Sequence, residues 1–445
     1  MRWTSARVAR ILGTEAAPSA VFSGVSTDTR QIQPGALFVA LTGPRFDGHE
    51  FLLAAADAGA AGAVVRRGTP PVDGLVLFEV AEPLAALGQL ARARRREVRG
   101  PVFAVTGSNG KTSSRAMLTV TLATKLRTHA TVGNLNNLIG VPLTILGAPD
   151  NAEALVVECG ASIPGEVARL RTIVEPTIGV VTNVAEAHLD GFGDLDGVLR
   201  EKVALLEDAP CAIVGLTPPA LSEAARERAA RVITAGLDRA ADVHPDRWKV
   251  DRGRVELTFR GHTVRLPLAG RHQGDNAMLA IAAAVELELE LRPIVTALAE
   301  VRLPPGRGEL IEAGKLVILH DAYNANPASM VAALETAQAT AGGRPLVMVV
   351  GSMLELGSRS RMLHEAVADA IVTANPALIG AMGAFVPALR RHAKRLGDRL
   401  ITAEDAEALG RAVGDRLTGR ELVLLKGSRG VQLELAIPHL RRGEA

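Results

Sequence analysis

Three observations predict an α/β protein of three domains. The chain has 445 residues, and a domain of ordinary size holds about 150. Apolar segments of strand length alternate with helical patterns along most of the chain, which favours largely parallel sheets. Stretches rich in glycine and proline at residues 100–101 and 302–309 interrupt both kinds of element. We therefore place the domains at residues 1–99, 100–302 and 303–445.

Composition predicts an ordinary globular protein. Hydrophobic residues make up 48% and charged residues 22% of the chain, and the formal net charge is only +2. This balance argues against nucleic acid or a membrane surface as a partner recognised by charge alone. There are two cysteines, no apolar segment long enough to span a bilayer, and no apolar core of a signal peptide near the N-terminus. We expect a cytoplasmic monomer that does not insert into membranes.

The first domain is expected to hold short strands and helices. A strand is predicted at residues 36–41 and an alanine-rich helix at residues 50–59. The basic run ARARRREVR, residues 91–99, is interpreted as a solvated helix end beside the domain boundary.

The other two domains show the alternation of strands and helices most clearly. In the central domain we predict strands at residues 101–105, 154–158, 177–183 and 211–216, an antiparallel hairpin around Gly261, and helices from about Ser113 and at residues 276–289. In the third domain we predict strands at residues 315–322, 344–352, 376–383, 399–403 and 421–428. The third pattern is typical of a doubly wound, Rossmann-like sheet, where ligands bind at the carboxyl ends of the strands.

The segment TGSNGKT, residues 106–112, predicts a binding site for nucleotide phosphates. It lies between a strand and a helix, so its glycines let backbone N–H groups approach phosphate oxygens at a helix N-terminus. Lys111 is expected to reach the β- and γ-phosphates, and the Thr112 hydroxyl to bind Mg²⁺. Val105 stands where the usual pattern has its first glycine. The loop indicates a nucleotide-binding enzyme without specifying the reaction.

Three further side chains are candidates for metal binding. Glu158 ends a predicted strand beside the loop and could hold a metal ion, or could be a solvated acid at a strand end. His188 follows another strand end, where a structural role is equally open. Lys202 lies in a helical pattern with acidic neighbours, which also fits an ordinary helix face. Lysine is scarce in this arginine-rich chain, so Lys111, Lys202 and Lys426 draw attention as positions where arginine would not serve.

Together these motifs resemble the Mur ligase family over essentially the whole chain. The matching segments are VSTDTRQIQPGALFVAL (25–41), FDGHEF (46–51), TGSNGKT (106–112), GNLNNLIGVPLT (133–144), VVECGASIPGE (156–166), TNVAEAHLDGFG (182–193), GRHQGDNAMLA (270–280), PPGRGE (304–309), HDAYNANPASM (320–330), GSMLELGSRSRMLHE (351–365) and KGSRG (426–430). One departure is Ser352, which stands where the family usually has an acid in the GSMLELG segment.

The resemblance implies an ATP-dependent amide ligase. The stretch DAYNANP, residues 321–327, which contains the only tyrosine, looks like the family member that adds D-alanyl-D-alanine to UDP-N-acetylmuramoyl-tripeptide. The implied reaction forms an acyl phosphate on the peptide carboxylate, which the amine of the dipeptide then attacks. The third domain is expected to close on ATP about a hinge near residues 303–308 and to bind the dipeptide acceptor. Alternatives are the diaminoacid-adding member, a folylpolyglutamate synthetase, a P-loop kinase or ATPase, and a regulatory protein without turnover.

The resemblance also implies roles for individual residues. ATP contacts are expected from Thr106, Gly107, Ser108, Asn109, Gly110, Lys111, Thr112, Ser113, Asn276, Arg307, Asp321 and Asn324. Two Mg²⁺ sites are implied, with Thr112, Glu158, His188 and a carbamylated Lys202 as ligands, and Lys111, Glu158, His188 and Lys202 as the catalytic set. The substrate residues are expected to be Thr27, Arg30, Asp47, Gly48, His49, Asn134, Asn137, Tyr323 and Asn326.

Overall fold

Three α/β units follow one another along the chain, each with its own mostly parallel sheet, so the predicted fold class is confirmed. The computed structural model describes residues 3–15, 18–44 and 46–441. The predicted boundaries at residues 99 and 302 lie between these sheets, and the precise division remains our proposal. No helix of the described chain has the length and apolar character that crossing a membrane requires.

The first unit is a four-stranded parallel sheet with the order β3-β4-β7-β8. Its elements are β1 (Trp3–Thr4), α1 (Ser5–Leu12), β2 (Val21–Phe22), β3 (Val25–Ser26), β4 (Leu37–Val39), β5 (Thr42–Gly43), β6 (Phe46–Asp47), α2 (Leu52–Asp57), β7 (Gly62–Arg66), β8 (Val76–Val80) and α3 (Pro83–Arg95). The predicted strand at residues 36–41 is confirmed as β4. The predicted alanine-rich helix forms as a 3-10 turn, Gly48–Phe51, followed by α2.

The second unit has a six-stranded parallel sheet with the order β10-β11-β9-β12-β13-β14, and a three-stranded antiparallel sheet β15-β16-β17. Its elements are β9 (Val102–Thr106), α4 (Lys111–Ala123), β10 (Thr128–Ala130), α5 (Gly140–Leu146), β11 (Ala154–Glu158), α6 (Glu166–Val174), β12 (Ile178–Val181), α7 (Leu189–Phe192), α8 (Leu195–Val203), β13 (Cys211–Val214), α9 (Ala220–Arg226), β14 (Val232–Thr234), β15 (Arg247–Asp251), β16 (Arg254–Phe259), β17 (His262–Ala269), α10 (His272–Glu286) and α11 (Leu291–Ala299). The predicted hairpin is confirmed as β16 and β17. Strand β9 lies between β11 and β12, so the glycine loop leaves the middle of the sheet.

The third unit is a six-stranded sheet with the order β18-β19-β23-β20-β21-β22. Its elements are β18 (Glu309–Ala313), β19 (Leu316–His320), α12 (Pro327–Ala341), β20 (Leu346–Val350), α13 (Ser360–Thr373), β21 (Leu378–Ala381), α14 (Phe385–Arg390), α15 (Ala393–Leu396), β22 (Leu400–Thr402), α16 (Ala406–Gly414), β23 (Leu422–Lys426) and α17 (Ile437–Leu440). All five predicted strands are confirmed. The sequence did not predict β18, which pairs antiparallel with β19 at the sheet edge.

The interpretation of residues 91–99 as a solvated helix end is wrong. Arg94 is only 5% exposed, and its Nη2 atom donates hydrogen bonds to the carbonyl oxygens of Ala148 (2.8 Å) and Pro149 (3.1 Å) after α5. Arg95 donates to the carbonyl oxygen of Glu175 (2.6 Å) at the end of α6. Buried guanidinium groups are stable when they satisfy carbonyl oxygens that would otherwise lack donors. The basic run therefore fastens α3 of the first unit to the second unit.

Replacing Arg94 by alanine is expected to lower the midpoint of thermal unfolding. The change leaves the carbonyl oxygens of Ala148 and Pro149 without this donor, which costs about 1–3 kcal/mol. Thermal unfolding followed by circular dichroism measures the effect. Arg99→Ala, at the exposed end of the same run, is the matched control and should change stability by less than about 0.5 kcal/mol. Equal midpoints for the two variants would contradict the anchoring role.

Candidate functional site

A cavity of about 1250 Å³ lies between the carboxyl ends of the central strands of the second unit and the facing surface of the third unit. The predicted site residues that line it are Ser108, Asn109, Gly110, Lys111, Thr112, Ser113, Asn137, Glu158, His188, Asn276, Arg307, Asp321, Tyr323, Asn324 and Asn326. Thr106, Gly107, Lys202, Asn134 and the five predicted residues of the first unit are outside its lining. The structure thus brings most of the predicted nucleotide residues together.

The glycine loop is held in place by very close packing on two sides. Gly107 has φ +142, and a Cβ atom there would lie 2.0 Å from Thr182 Oγ1 after β12. Gly110 has φ +79, and a Cβ atom there would lie 2.5 Å from Asn276 Oδ1 in α10. Both positions therefore require glycine for space as well as for backbone conformation. Thr106, which ends β9, is fully buried below the loop.

Lys111 is the first residue of α4, and its side chain folds back over the loop. Its Nζ atom donates hydrogen bonds to the carbonyl oxygens of Gly107 (2.7 Å) and Ser108 (3.3 Å). Burial lowers the pKa of Lys111, while the nearby carboxylate of Glu158 acts in the opposite direction. Phosphate oxygens are charged acceptors and bind an ammonium group more strongly than neutral carbonyl oxygens do. The side chain is thus placed to exchange these two contacts for phosphate.

Thr112 and Glu158 form the predicted oxygen pair for a cation. The Thr112 hydroxyl lies 3.0 and 3.2 Å from the two carboxylate oxygens of Glu158, and both residues are almost fully buried. Hydroxyl and carboxylate oxygens are the ligands that Mg²⁺ prefers, so this pair fits the ion. Asn136 Nδ2 donates to Glu158 (3.0 Å) and Arg115 Nε lies 3.5 Å from it. The sequence did not single out Asn136 or Arg115.

The three asparagines of the GNLNN segment have different surroundings. Asn134 is exposed, whereas Asn136 reaches into the cavity and touches Glu158. Asn137 lines the cavity, and its Oδ1 atom accepts hydrogen bonds from the N–H groups of Ile139 (3.1 Å) and Gly140 (2.8 Å) at the start of α5. The GNLNN motif is the sequence signal that could have identified Asn136. Only the turn between β10 and α5 decides which asparagine faces Glu158 and the cavity.

Lys202 and His188 both lie close to the Phe192 ring. Lys202 is completely buried, and its Nζ atom has no hydrogen-bond partner among the described residues and lies 5.2 Å from the centre of that ring. Burial, with a contribution from Lys111, lowers the pKa of Lys202 to about 7. The Nδ1 atom of His188 lies 2.5 Å from Glu355 of the third unit. Within the described ranges, no three histidine, cysteine or acidic side chains converge on one point as a ready metal site.

Helix α10 supports the loop through the amide of Asn276. Ser114 donates to Asn276 Oδ1 (3.1 Å), and Asn276 Nδ2 donates to Gln273 (3.1 Å). The side chain is 4% exposed, so its main contacts join α10 to α4. His272 and Asp275, which the sequence did not predict, also line the cavity. Burial lowers the pKa of His272, which favours the neutral imidazole.

The third unit presents a row of charged groups to the cavity. The guanidinium carbon of Arg307 lies 3.9 Å from the centre of the Tyr323 ring, so the cation stacks on the ring face. Lys426 is buried at the end of β23, with Nζ 2.7 Å from the carboxylate of Asp321. The same Nζ donates to the carbonyl oxygen of Asn324 (2.8 Å). Lys426 thus holds the DAYNANP segment in shape, which explains why a lysine stands there.

Ser352, the residue that departs from the family pattern, has a structural role. Its hydroxyl accepts a hydrogen bond from the N–H group of Ala384 (2.9 Å), and a Cβ atom on Gly383 would lie 2.2 Å from it. Serine at position 352 therefore lies where the loop after β20 packs tightly against the loop after β21.

The predicted substrate residues of the first unit lie apart from the large cavity. The Asp47 carboxylate contacts the Nδ1 atom of His49 (2.5 Å) and the guanidinium group of Arg66 (2.6 Å). Hydrogen bonds from the backbone and side chain of His49 lower the pKa of Asp47 to about 2. His49 and Arg66 line a second cavity of about 560 Å³. Of the other predicted residues, Thr27 and Gly48 line neither cavity, and neither does Arg30, whose side chain is largely exposed.

Three family profiles match successive parts of the chain. They are described as Mur ligase family, catalytic domain (residues 21–95), Mur ligase middle domain (105–284), and Mur ligase, glutamate ligase domain (306–429). A relative from Bacillus subtilis, named UDP-N-acetylmuramoyl-tripeptide–D-alanyl-D-alanine ligase, is 34% identical over 97% of this chain and 96% of its own length. The chain belongs to the Mur ligase family. The Escherichia coli protein of the same name is also 34% identical, over 94% of this chain and 93% of that protein.

Solved structures of Mur ligases agree with this membership. A structure of MurF from Acinetobacter baumannii superposes with a TM-score of 0.90 at 29% identity, covering 99% of each chain. A MurF ligase from Thermotoga maritima in complex with ADP has a TM-score of 0.84 at 27% identity, covering 94% of this chain and 97% of that one. A folylpolyglutamate synthase from Mycobacterium tuberculosis shares the fold, with a TM-score of 0.63 at 19% identity, covering 81% of this chain and 95% of that one.

Replacing Tyr323 by leucine is expected to reduce turnover, because it removes the aromatic face that orients Arg307. A cation–π contact contributes about 0.5–2 kcal/mol, which corresponds to a fall in kcat of about twofold to thirtyfold. Tyr323→Phe keeps the ring face and is the matched control, with turnover within about twofold of the parent. Steady-state kinetics of both variants test this. A phenylalanine variant as impaired as the leucine variant would show that the hydroxyl, not the stacking, is what counts.

Proposed function

We propose that this chain is an ATP-dependent ligase that joins D-alanyl-D-alanine to UDP-N-acetylmuramoyl-tripeptide. The product is the UDP-muramoyl-pentapeptide precursor of peptidoglycan. The observation that carries the proposal is nearly full-length similarity to relatives of that name, together with a phosphate loop that faces the DAYNANP segment across one cavity. Solved structures of a diaminoacid-adding ligase and a folylpolyglutamate synthase share the fold at only 16% and 19% identity. The alternative assignment is that this chain acts on the substrates of one of these two enzymes.

The reaction passes through an acyl phosphate. The terminal carboxylate of the UDP-linked peptide attacks the γ-phosphorus of ATP, and ADP leaves. Lys111 and the loop N–H groups hold the negative charge that develops on the phosphoryl oxygens. The amine of D-alanyl-D-alanine then attacks the carbonyl carbon, and phosphate leaves. Water would hydrolyse the intermediate, so the third unit must cover the cavity while it exists.

The oxygen pair of Thr112 and Glu158 is proposed to hold one Mg²⁺ ion beside the phosphates. Such an ion supplies positive charge to the phosphoryl oxygens. A second ion is proposed near His188 and Lys202, where the side chains as they stand lack a sufficient ligand set. Carbamylation of Lys202 would supply the missing carboxylate-like oxygens. The Nζ atom of Lys202 is buried and has no hydrogen-bond partner among the described residues, and its pKa is about 7. These properties favour carbamylation, because neutral amines add to CO₂.

The remaining assignments are also proposals. The first unit, with Thr27, Arg30, Asp47, Gly48 and His49, would bind the UDP end of the substrate. The peptide would then extend toward the large cavity, past the proposed contacts Asn134 and Asn137. Tyr323 of the third unit is proposed to face the substrate side, with Asn326 beside it at the border of the cavity. The two cysteines of the chain are buried and unpaired, which agrees with action in the cytoplasm.

Release of phosphate from ATP tests the reaction class and the substrates together. The enzyme is incubated with UDP-N-acetylmuramoyl-tripeptide, with D-alanyl-D-alanine, and with both. A ligase releases phosphate in step with pentapeptide formation only when both are present, whereas a kinase or a nucleotide switch needs no acceptor dipeptide. Phosphate release that is independent of the dipeptide, or a preference for a diamino acid or glutamate as acceptor, would refute the assignment.

Replacing Lys111 by alanine is expected to lower kcat by at least about 100-fold. The lysine is the cation that the loop places against the transferred phosphoryl group, and loss of such a contact in a transition state costs about 3 kcal/mol or more. Lys125→Ala, an exposed lysine just beyond α4, is the matched control and should turn over normally. Phosphate release under saturating substrates measures both. Full activity in the Lys111 variant would overturn the role given to the loop.

Lys202 is expected to carry a carbamate above pH 7. Because its pKa is lowered to about 7, the fraction of neutral amine rises as the pH increases through that value. With ¹³C-labelled bicarbonate at pH 8, the protein should show a carbamate carbon signal that weakens at pH 6. Lys202→Ala should lack the signal, and Lys125→Ala should retain it. Absence of the signal in the parent protein at pH 8 would exclude carbamylation as the source of the second set of ligands.

A further inference from the structure

The side chain of Asn326 bridges the third unit and the phosphate loop. Its Oδ1 atom accepts a hydrogen bond from the N–H group of Ser329 (2.9 Å), and Ser329 Oγ accepts one from the N–H group of Asn326 (2.9 Å). These bonds form a capping box at the start of α12. Since the oxygen is committed to the cap, the Nδ2 atom must point the other way. It donates to Asn109 Oδ1 at 2.8 Å.

Asn109 is fixed from behind by the end of β12. Its N–H group donates to Asn183 Oδ1 (3.1 Å), and its carbonyl oxygen accepts from Thr182 Oγ1 (2.6 Å) and Asn183 Nδ2 (3.1 Å). The backbone of the loop is therefore held by the second unit alone, while the side chain is free to bind the third unit. Asn326 is 4% exposed and Asn109 is half-buried, so the contact lies at the border of the cavity.

We infer that Asn326 is a positioning residue that docks the third unit on the phosphate loop in one register. Asparagine meets both demands. Serine caps a helix equally well but is too short to reach Asn109, and glutamine is too long for the cap. The family resemblance suggests a substrate contact for Asn326, but its polar atoms are already used by the cap and by Asn109.

The contact has an electrostatic consequence for the nucleotide. It brings the N-terminus of α12 to the same cavity as the N-terminus of α4, and the first turn of α12 contains no acidic residue. Two helix N-termini, each with a partial positive charge, then face one space. An anionic triphosphate between them favours the docked arrangement. Docking of the third unit is thus coupled to the presence of phosphate at the loop.

The Asn326→Ser variant tests this inference, because serine keeps the helix cap but is too short to bind Asn109. We expect kcat for phosphate release to fall about tenfold, the effect of one hydrogen bond, with little change in the KM for ATP or in thermal stability. Small-angle scattering should show less compaction with a non-hydrolysable ATP analogue than in the parent protein. Asp405→Ser replaces the N-cap residue of α16, outside the lining of the large cavity, and should leave kcat and compaction unchanged.

A double-mutant cycle with Asn109→Ala shows whether the two side chains act as one contact. The alanine variant leaves the α12 cap intact, so it remains informative if Asn326→Ser proves unstable. We expect the double variant to be no more impaired than either single variant. Multiplied effects, or parent-like kcat and compaction in Asn326→Ser, would overturn the inference. The activity readout rests on the proposed function, whereas the scattering comparison needs only the nucleotide. A parent protein without ligase activity would therefore refute the proposed function alone, and the scattering comparison would still test the docking contact.

Discussion

The close packing of the glycine loop between β12 and α10 is the constraint on which the site depends. Side chains of Thr182 and Asn276 occupy the places that a Cβ atom on Gly107 or Gly110 would need. The loop therefore has one conformation, in which α4 begins at Lys111 and Thr112 meets the carboxylate of Glu158. The positions of Lys111 and of the Thr112–Glu158 pair follow from how β9 leaves the middle of its sheet.

The first and third units attach to this centre in different ways. The first unit is joined by Arg94 and Arg95 of α3, which donate hydrogen bonds to backbone carbonyl oxygens of the second unit. Beside the cavity, the third unit meets the centre through polar and charged contacts, such as the Asn109–Asn326 pair and the His188–Glu355 contact. Such contacts can exchange partners with water or substrate. This difference is consistent with the proposed closing of the third unit over the cavity.

Much of the fold followed from local patterns, and the exceptions have physical causes. The five strands of the third unit are apolar runs bounded by turn residues, so they were predictable. Strand β18 (ELIEA) contains two acidic residues and follows a Gly/Pro stretch directly, so it lacks a continuous apolar run, and it gains its stability from pairing with β19. The basic run at residues 91–99 was misread because its acceptors are carbonyl oxygens far away in the sequence.

The sequence by itself determined that a phosphate loop, a carboxylate at a strand end and a family-specific segment occur in one chain. Glycine spacing and strand ends are local features, and local features can be recognised directly in the sequence. Tertiary structure decided which side chains converge: Asn136 rather than Asn134 touches Glu158, and Asn326 reaches Asn109 across 217 positions. Such contacts depend on how sheets and helices pack, which no short stretch of sequence encodes.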